Sequence, residues 1–179
     1  MFIVMVRIYL VCLLIPSVLV AQNTWKKYVP EDGSFEVMVP GDMDTGEKHI
    51  LSDLGETKVK TYLYKGDQEL PDIIYIINSF NYPEGTVDPD SLALTDSLFY
   101  ESILEVKKSL GGEMVYMADQ SEHDLQSRIY KINYNGGKST VKGKMYIAGQ
   151  RFYSVQVFSS FEKSQYEEID RFIKSFRIL

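Results

Sequence analysis

RFYSVQVFSSFEKSQYEEIDRFIKSFRIL, residues 151–179, carries the clearest signature of the chain's architecture. Residues 151–159 read as a strand with apolar side chains on both faces, so the strand needs a covering layer on each side. Ser164-Gln165-Tyr166-Glu167 fits the Ser-x-x-Glu capping box that opens a helix. Ile169, Phe172, Ile173 and Phe176 then recur at i, i+3, i+4 and i+7, one apolar stripe along that helix. A two-sided strand running into an amphipathic helix calls for a sheet packed against helices.

Working back from there, residues 139–148 and 125–134 read as strands, joined by Gly149-Gln150 and Asn135-Gly136-Gly137 as hairpin turns. Residues 113–120 complete a four-strand meander. Before it, Asp88-Pro89-Asp90-Ser91 marks a helix start, with a capping Asp and a Pro in the first turn. Leu92, Phe99, Ile103, Val106 and Leu110 form the stripe of this first helix, and Gly111-Gly112 stops it. Upstream, residues 24–29 and 35–39 are short strands, while 49–54 and 57–65 form a hairpin about Leu54-Gly55-Glu56. Residues 73–77 are apolar at every position and should be covered on both faces. The expected class is α+β: an antiparallel β-sheet covered by two main helices, one per face, as an α/β/α sandwich.

Residues 1–21, MFIVMVRIYLVCLLIPSVLVA, stand apart. Arg7 is their only charge, and the apolar run from Ile8 to Val20 makes a helix of roughly 20 Å, short of the ~30 Å hydrocarbon core. Pro16 and Ser17 ahead of the small Ala21 fit a signal peptide cut after Ala21, with an uncleaved anchor as the alternative. Cys12 sits inside the apolar run, which argues against lipidation. The expected organisation is a signal peptide over 1–21 and a single domain over 22–179, exported to the periplasm or the outside, with no transmembrane segment after cleavage. The whole chain has 179 residues, 45% hydrophobic, one cysteine and net charge −6. Removing the leader takes Cys12 and Arg7 with it, leaving 158 residues, no cysteine and 18 basic against 25 acidic side chains, a net −7. That balance argues against nucleic acid as a partner. The missing cysteines exclude a disulfide scaffold and Cys-based zinc, so packing alone must hold the domain.

Two terminal segments resemble a known family. DGSFEVMVPGDM, Asp32 to Met43, is similar to the opening of PsbP-like/Mog1-like (DcrB-type) domains: a Gly-Ser-Phe turn, an alternating strand, then Pro-Gly. Phe172-Ile173-Lys174-Ser175-Phe176-Arg177 resembles their close. The resemblance extends over most of residues 24–179 and implies an α/β/α sandwich. It implies little about activity, because fold and function are separate. No functional residue of the photosynthetic or GTPase-binding members is matched, and none is transferred.

Familiar chemistries find little support. The mature chain holds two histidines, His49 and His123, 74 positions apart and both in polar surroundings, which suits surface residues better than a zinc site. No Gly-x-Ser-x-Gly elbow is present, though a Ser-His-Asp group assembled only in space stays open. Gly136-Gly137-Lys138-Ser139-Thr140 has the look of a phosphate-binding loop, but Ile132 stands where the first glycine belongs, and a strand follows rather than a helix. Asp42, Asp44 and Glu47, and again Asp88, Asp90 and Asp96, are closely spaced without the EF-hand pattern. No catalytic, cofactor-binding or metal residue is therefore assigned, and no cofactor is expected.

One surface pattern remains. Lys58 and Lys60 share a strand face with Tyr62 and Tyr64, and Lys142 and Lys144 with Tyr146. On an acidic protein, basic strand faces interleaved with tyrosine suit a partner surface for an anionic or peptide ligand. Edge protection by lysine and the strand preference of tyrosine explain the same pattern without a ligand. The expected function is an exported non-catalytic binding or assembly module of the cell envelope, with a protein or other envelope partner. The alternative is a hydrolase with a dispersed carboxylate-based site, which requires a pocket holding two carboxylates, or a carboxylate and a histidine, with displaced pKa values.

Overall fold

A computed structural model describes residues 25–52, 55–66, 72–88, 91–121 and 125–179. Residues 1–21, where a signal peptide is expected, Pro89 and Asp90 of the first helix start, and His123 lie outside the described residues. The elements run β1 (Lys26–Tyr28), β2 (Phe35–Val39), β3 (Asp44–Ser52), β4 (Gly55–Lys65), β5 (Ile74–Asn81), α1 (Leu92–Ser109), β6 (Glu113–Asp119), β7 (Gln126–Tyr134), β8 (Ser139–Ala148), β9 (Arg151–Ser160), α2 (Glu167–Ser175) and β10 (Arg177–Ile178).

Seven strands form one antiparallel sheet in the order β3-β4-β5-β9-β8-β7-β6. The meander β6–β9 and the run β3–β5 each follow chain order, and the long-range pairing of β5 with β9 joins them. β1, β2 and β10 make a second, three-stranded sheet, in which the end of the chain pairs with Phe35 and Glu36. The antiparallel sheet and two helices match the α+β expectation. The covering layers differ from one helix per face: α2 shares its face of the large sheet with the small sheet, whereas α1 covers the opposite face.

The α2 side holds an aromatic core. Phe176 packs 5.1 Å from Phe35, 5.0 Å from Tyr146 and 5.5 Å from Tyr153, ring centre to ring centre. Phe35 meets Tyr62 edge-on at 5.1 Å, in the offset or edge-to-face geometries that ring quadrupoles favour. Ile169, Phe172, Ile173 and Phe176 are all buried, as the helical spacing requires. Helix α2 is held to Trp25, just ahead of β1, by Arg171, whose guanidinium lies 4.7 Å from the Trp25 ring centre. Its start differs from the capping-box expectation: Tyr166 is the N-cap, and the Ser164 hydroxyl instead accepts from Lys131 Nζ at 3.3 Å. A buried ammonium needs that acceptor more than a helix end open to water does.

On the other face, Thr95, Phe99 and Ile103 are the buried positions of α1, packed over β7, β8 and β9. Leu92 is 68% exposed, because it precedes the point where Thr95 Oγ1 donates to Gln126 Oε1 at 2.6 Å. The helix ends as expected: Gly111 has φ 57°, its N–H reaches the Lys108 carbonyl, and Gly112 N–H reaches that of Lys107. These two bonds close a Schellman motif. Beneath α1, Gly143 leaves room for the Tyr130 ring to cross β8, since a Cβ there would stand 2.6 Å from Tyr130 Cζ. Full cover of 73–77 on both faces is not what forms. Tyr75 and Ile77 are buried under α2 and the small sheet, while Ile74 and Ile76 are half-buried, since α1 packs over the β7–β9 half of its face.

Phe176→Ala removes the ring that three other aromatic rings enclose, and is expected to lower unfolding free energy by about 3–5 kcal/mol. Leu92→Ala should stay within about 0.5 kcal/mol of wild type. Urea denaturation of both variants distinguishes this core from one centred on the expected α1 stripe.

Candidate functional site

Cross-strand register puts Lys58, Lys60, Tyr62 and Tyr64 of β4 on the same sheet face as Lys142, Lys144 and Tyr146 of β8, the face under α2. The three tyrosines are 4%, 8% and 5% exposed and belong to the aromatic core. Their rings fill the space beneath the small sheet, leaving the lysines at the rim. β5 and β9 separate β4 from β8, about 14 Å across the sheet, and the register sets the two lysine pairs a further ~13 Å apart along the strands. They border two different cavities.

The larger cavity, about 690 Å³, opens between β7–β8 and the last turns of α2 with β10. Leu125, Ile129, Tyr146 and Ile178 contribute apolar wall, and Ile173 and Phe176 lie beneath. Its described charged lining is Lys142 and Lys144 from β8, Lys174 and Asp170 from α2, and Arg177 from β10. Four cations thus face one carboxylate in a chain of net charge −6. Lys142 and Asp170 form a direct ion pair, and Lys174 lies 3.5 Å from the same carboxylate. Burial pushes the Asp170 carboxyl up, but hydrogen bonds and charge from Lys142 and Lys174 outweigh it and hold the group below the usual carboxylate range. Lys144 Nζ sits 5.0 Å from the Tyr146 ring centre. Arg177 Nη1 donates to the carbonyls of Lys174 and Phe176 at 2.6 and 2.8 Å, which fixes its guanidinium at the cleft's edge. Residues 122–124, between the lining residues Ser121 and Leu125, lie outside the described residues.

Behind the cleft, Lys131 of β7 pairs across the ladder with Lys142 and is 9% exposed. Burial first, then the Lys142 charge, lowers its pKa. Ser164 Oγ and the Phe161 ring, 5.9 Å away, are its partners.

The smaller cavity, about 200 Å³, is bordered by Lys58, Lys60, Ser79, Asn81, Arg151 and Asp32. Lys60 lies 3.2 Å from Asp32, and Lys58 2.8 Å from Glu47. Sequence reasoning found the strand lysines of both cavities. It missed Asp170, Lys174, Arg177 and Arg151, whose only available signal was the polar side of the α2 pattern and the strand alternation through residue 151.

The other sequence features resolve simply. Asn135, Gly136 and Gly137 all have positive φ, and β8 follows two residues later, so the Gly-Gly-Lys stretch is a hairpin turn. His49 is exposed, with Nδ1 3.0 Å from Glu56. Asp42 pairs with Lys26 and Glu47 with Lys58, so these carboxylates turn to separate cations. Among the described residues no three His, Cys, Asp or Glu side chains converge to hold a metal, and no helix is long and apolar enough to cross a membrane.

No protein-family model matches the chain, and no curated protein matches it. Solved structures do. Cyanobacterial PsbP (CyanoP) from Synechocystis sp. PCC 6803 superposes with a TM-score of 0.58 at 10% identity, over 88% of this chain and 94% of that one. Mog1p, a Ran-binding protein of Saccharomyces cerevisiae, gives 0.46 at 10% identity over 87% and 95%. LpqN of Mycobacterium tuberculosis, described as involved in cell envelope biogenesis, gives 0.43 at 12% identity over 87% and 90%. The likeness to CyanoP shows a shared fold, the PsbP/Mog1 fold that the terminal segments resemble.

The lowered Asp170 pKa fixes a pH dependence. Because the folded value lies below the unfolded one, its stabilisation is complete above the ordinary carboxylate pKa and is lost as pH falls through the lowered value. Asp170→Asn is therefore expected to be less stable than wild type at pH 7, with the two urea midpoints converging between about pH 5 and pH 2. A constant offset over that range would show that the pair with Lys142 contributes nothing.

Proposed function

We propose that this PsbP-fold chain is an exported, non-catalytic binding or assembly module of the cell envelope, and that the cleft between β7–β8 and α2 receives an anionic group of its partner. The carrying observation is charge inversion: four cations against one described carboxylate, on an acidic protein. Cations grouped at a concave, half-apolar site attract and orient an anionic partner, and they act mainly on encounter rate and register. The leader-like residues 1–21 support export. A carboxylate hydrolase needs an acid with a raised pKa, whereas Asp170, the cleft's described carboxylate, is held ionised by two lysines. Binding is the chemistry the cleft favours.

The test is affinity capture from the native envelope with wild type and with Lys142→Glu/Lys144→Glu, each shown to be folded by its thermal melt. A partner is expected to be retained by wild type, released by salt, and weakened roughly tenfold, about 1.4 kcal/mol, by the double substitution. A captured partner indifferent to both salt and substitution would remove the cleft from the proposal.

A further inference from the structure

The smaller cavity, distinct from the α2 cleft, has the construction of an oxyanion site. Lys58, Asn81 and Arg151 stand side by side on β4, β5 and β9, and Lys60 and Ser79 form the next row on the same face. At about 4.8 Å between strands and about 7 Å between rows, these five side chains surround a patch some 10 Å wide. Asp32, in the turn between β1 and β2, closes the side opposite the sheet.

The donors outnumber the acceptors. Lys60 is tied to Asp32 at 3.2 Å and Lys58 to Glu47 at 2.8 Å, whereas Arg151 has no ion-pair partner among the described residues. Ser79 is 9% exposed and lines the cavity, and its hydroxyl has no hydrogen-bond partner among the described residues. The Ser79 hydroxyl faces the cavity with no partner among those residues, beside three cations, so it can donate to an acceptor that enters. The volume, about 200 Å³, is ample for one small tetrahedral anion. Among the described residues its lining holds no apolar side chain to favour an acyl chain.

We infer that this pocket binds a single tetrahedral oxyanion, a phosphate or sulfate group, with Arg151, Lys58 and Lys60 as cations and Ser79 and Asn81 as neutral donors. Three cations and two neutral donors offer more hydrogen bonds than a carboxylate's two oxygens can take up, and the guanidinium fork suits a phosphate edge. Asp32 is the resident competitor: the incoming anion takes over Lys60 from it. None of these residues lines the α2 cleft.

The experiment is a two-dimensional amide NMR titration of the isotope-labelled protein at constant ionic strength, with inorganic phosphate, sulfate or acetate in separate arms and chloride as the balance. Saturable shifts are expected at residues 58–60, 79–81 and 151 with phosphate and sulfate, and weaker, non-saturating ones with acetate. Arg151→Gln should weaken phosphate binding about fivefold or more, while Asp32→Asn should tighten it, a direction that structural damage does not produce. Lys144→Glu, in the other cavity, should leave it unchanged. If Arg151→Gln fails to fold, Ser79→Ala and Asp32→Asn decide the matter. Shifts that never saturate, that follow Lys144→Glu, or that ignore Asp32→Asn would each overturn the site.

Discussion

Phe176 is the residue through which the layers of this fold communicate. It is the last member of the α2 stripe, it packs on Phe35 of the small sheet, and it packs on Tyr146 and Tyr153 of the large one. Its backbone leaves the helix in an extended conformation, so the next two residues join β2 as β10. A domain with no cysteine in its described part has no covalent tie between its first and last strands. Buried aromatic surface takes that role, at about 1.5–3 kcal/mol for each large side chain fully withdrawn from water. The cleft depends on the same ring: Arg177 and Ile178 reach it because Phe176 is anchored.

The distribution of charge follows from the distribution of rings. Along β8 the face under α2 reads Lys142, Lys144, Tyr146, and along β4 it reads Lys58, Lys60, Tyr62, Tyr64. Where the covering layer is continuous, the position holds a tyrosine, whose ring can be dry. Where the layer ends, it holds a lysine, whose stem lies on apolar surface while the ammonium stays near water. Lys131 marks the boundary: it has gone one step too far under the layer, its pKa falls, and a serine hydroxyl and an aromatic ring replace water around it.

What the sequence disclosed and what it withheld divide along the range of the interactions. The α2 stripe was legible because a 3.6-residue period over Ile169–Phe172–Ile173–Phe176 needs no knowledge of the rest of the chain. β8 was legible to the residue because glycines bracket it at 137 and 149, both with positive φ. The small sheet was not, since β10 has two residues and two residues have no period. Nor was the separation of the two lysine pairs, which depends on β5 pairing with β9 across seventy residues or more. Ser164 misled for a related reason. Its capping-box spacing is local, while the lysine that claims its hydroxyl is 33 residues away.

Both cavities share one electrostatic plan, and it follows from folding rather than from any ligand. Each sets lysines on a strand of the large sheet beneath a carboxylate from the layer above: Asp170 of α2 over Lys142, and Asp32 of the β1–β2 turn beside Lys60. Grouped cations repel one another, and a carboxylate placed among them offsets that repulsion while the site is empty. Anion binding at either site is then an exchange of one carboxylate for another acceptor, so only the difference between the two contributes to affinity. An acceptor equal to the resident carboxylate gains nothing by displacing it. One that also engages Arg177 in the cleft, or Arg151 and Ser79 in the smaller cavity, gains contacts the resident carboxylate leaves unmade. Selectivity at the two proposed sites would therefore rest on groups outside the internal ion pairs, which are the residues that strand alternation and helix periodicity made hardest to see.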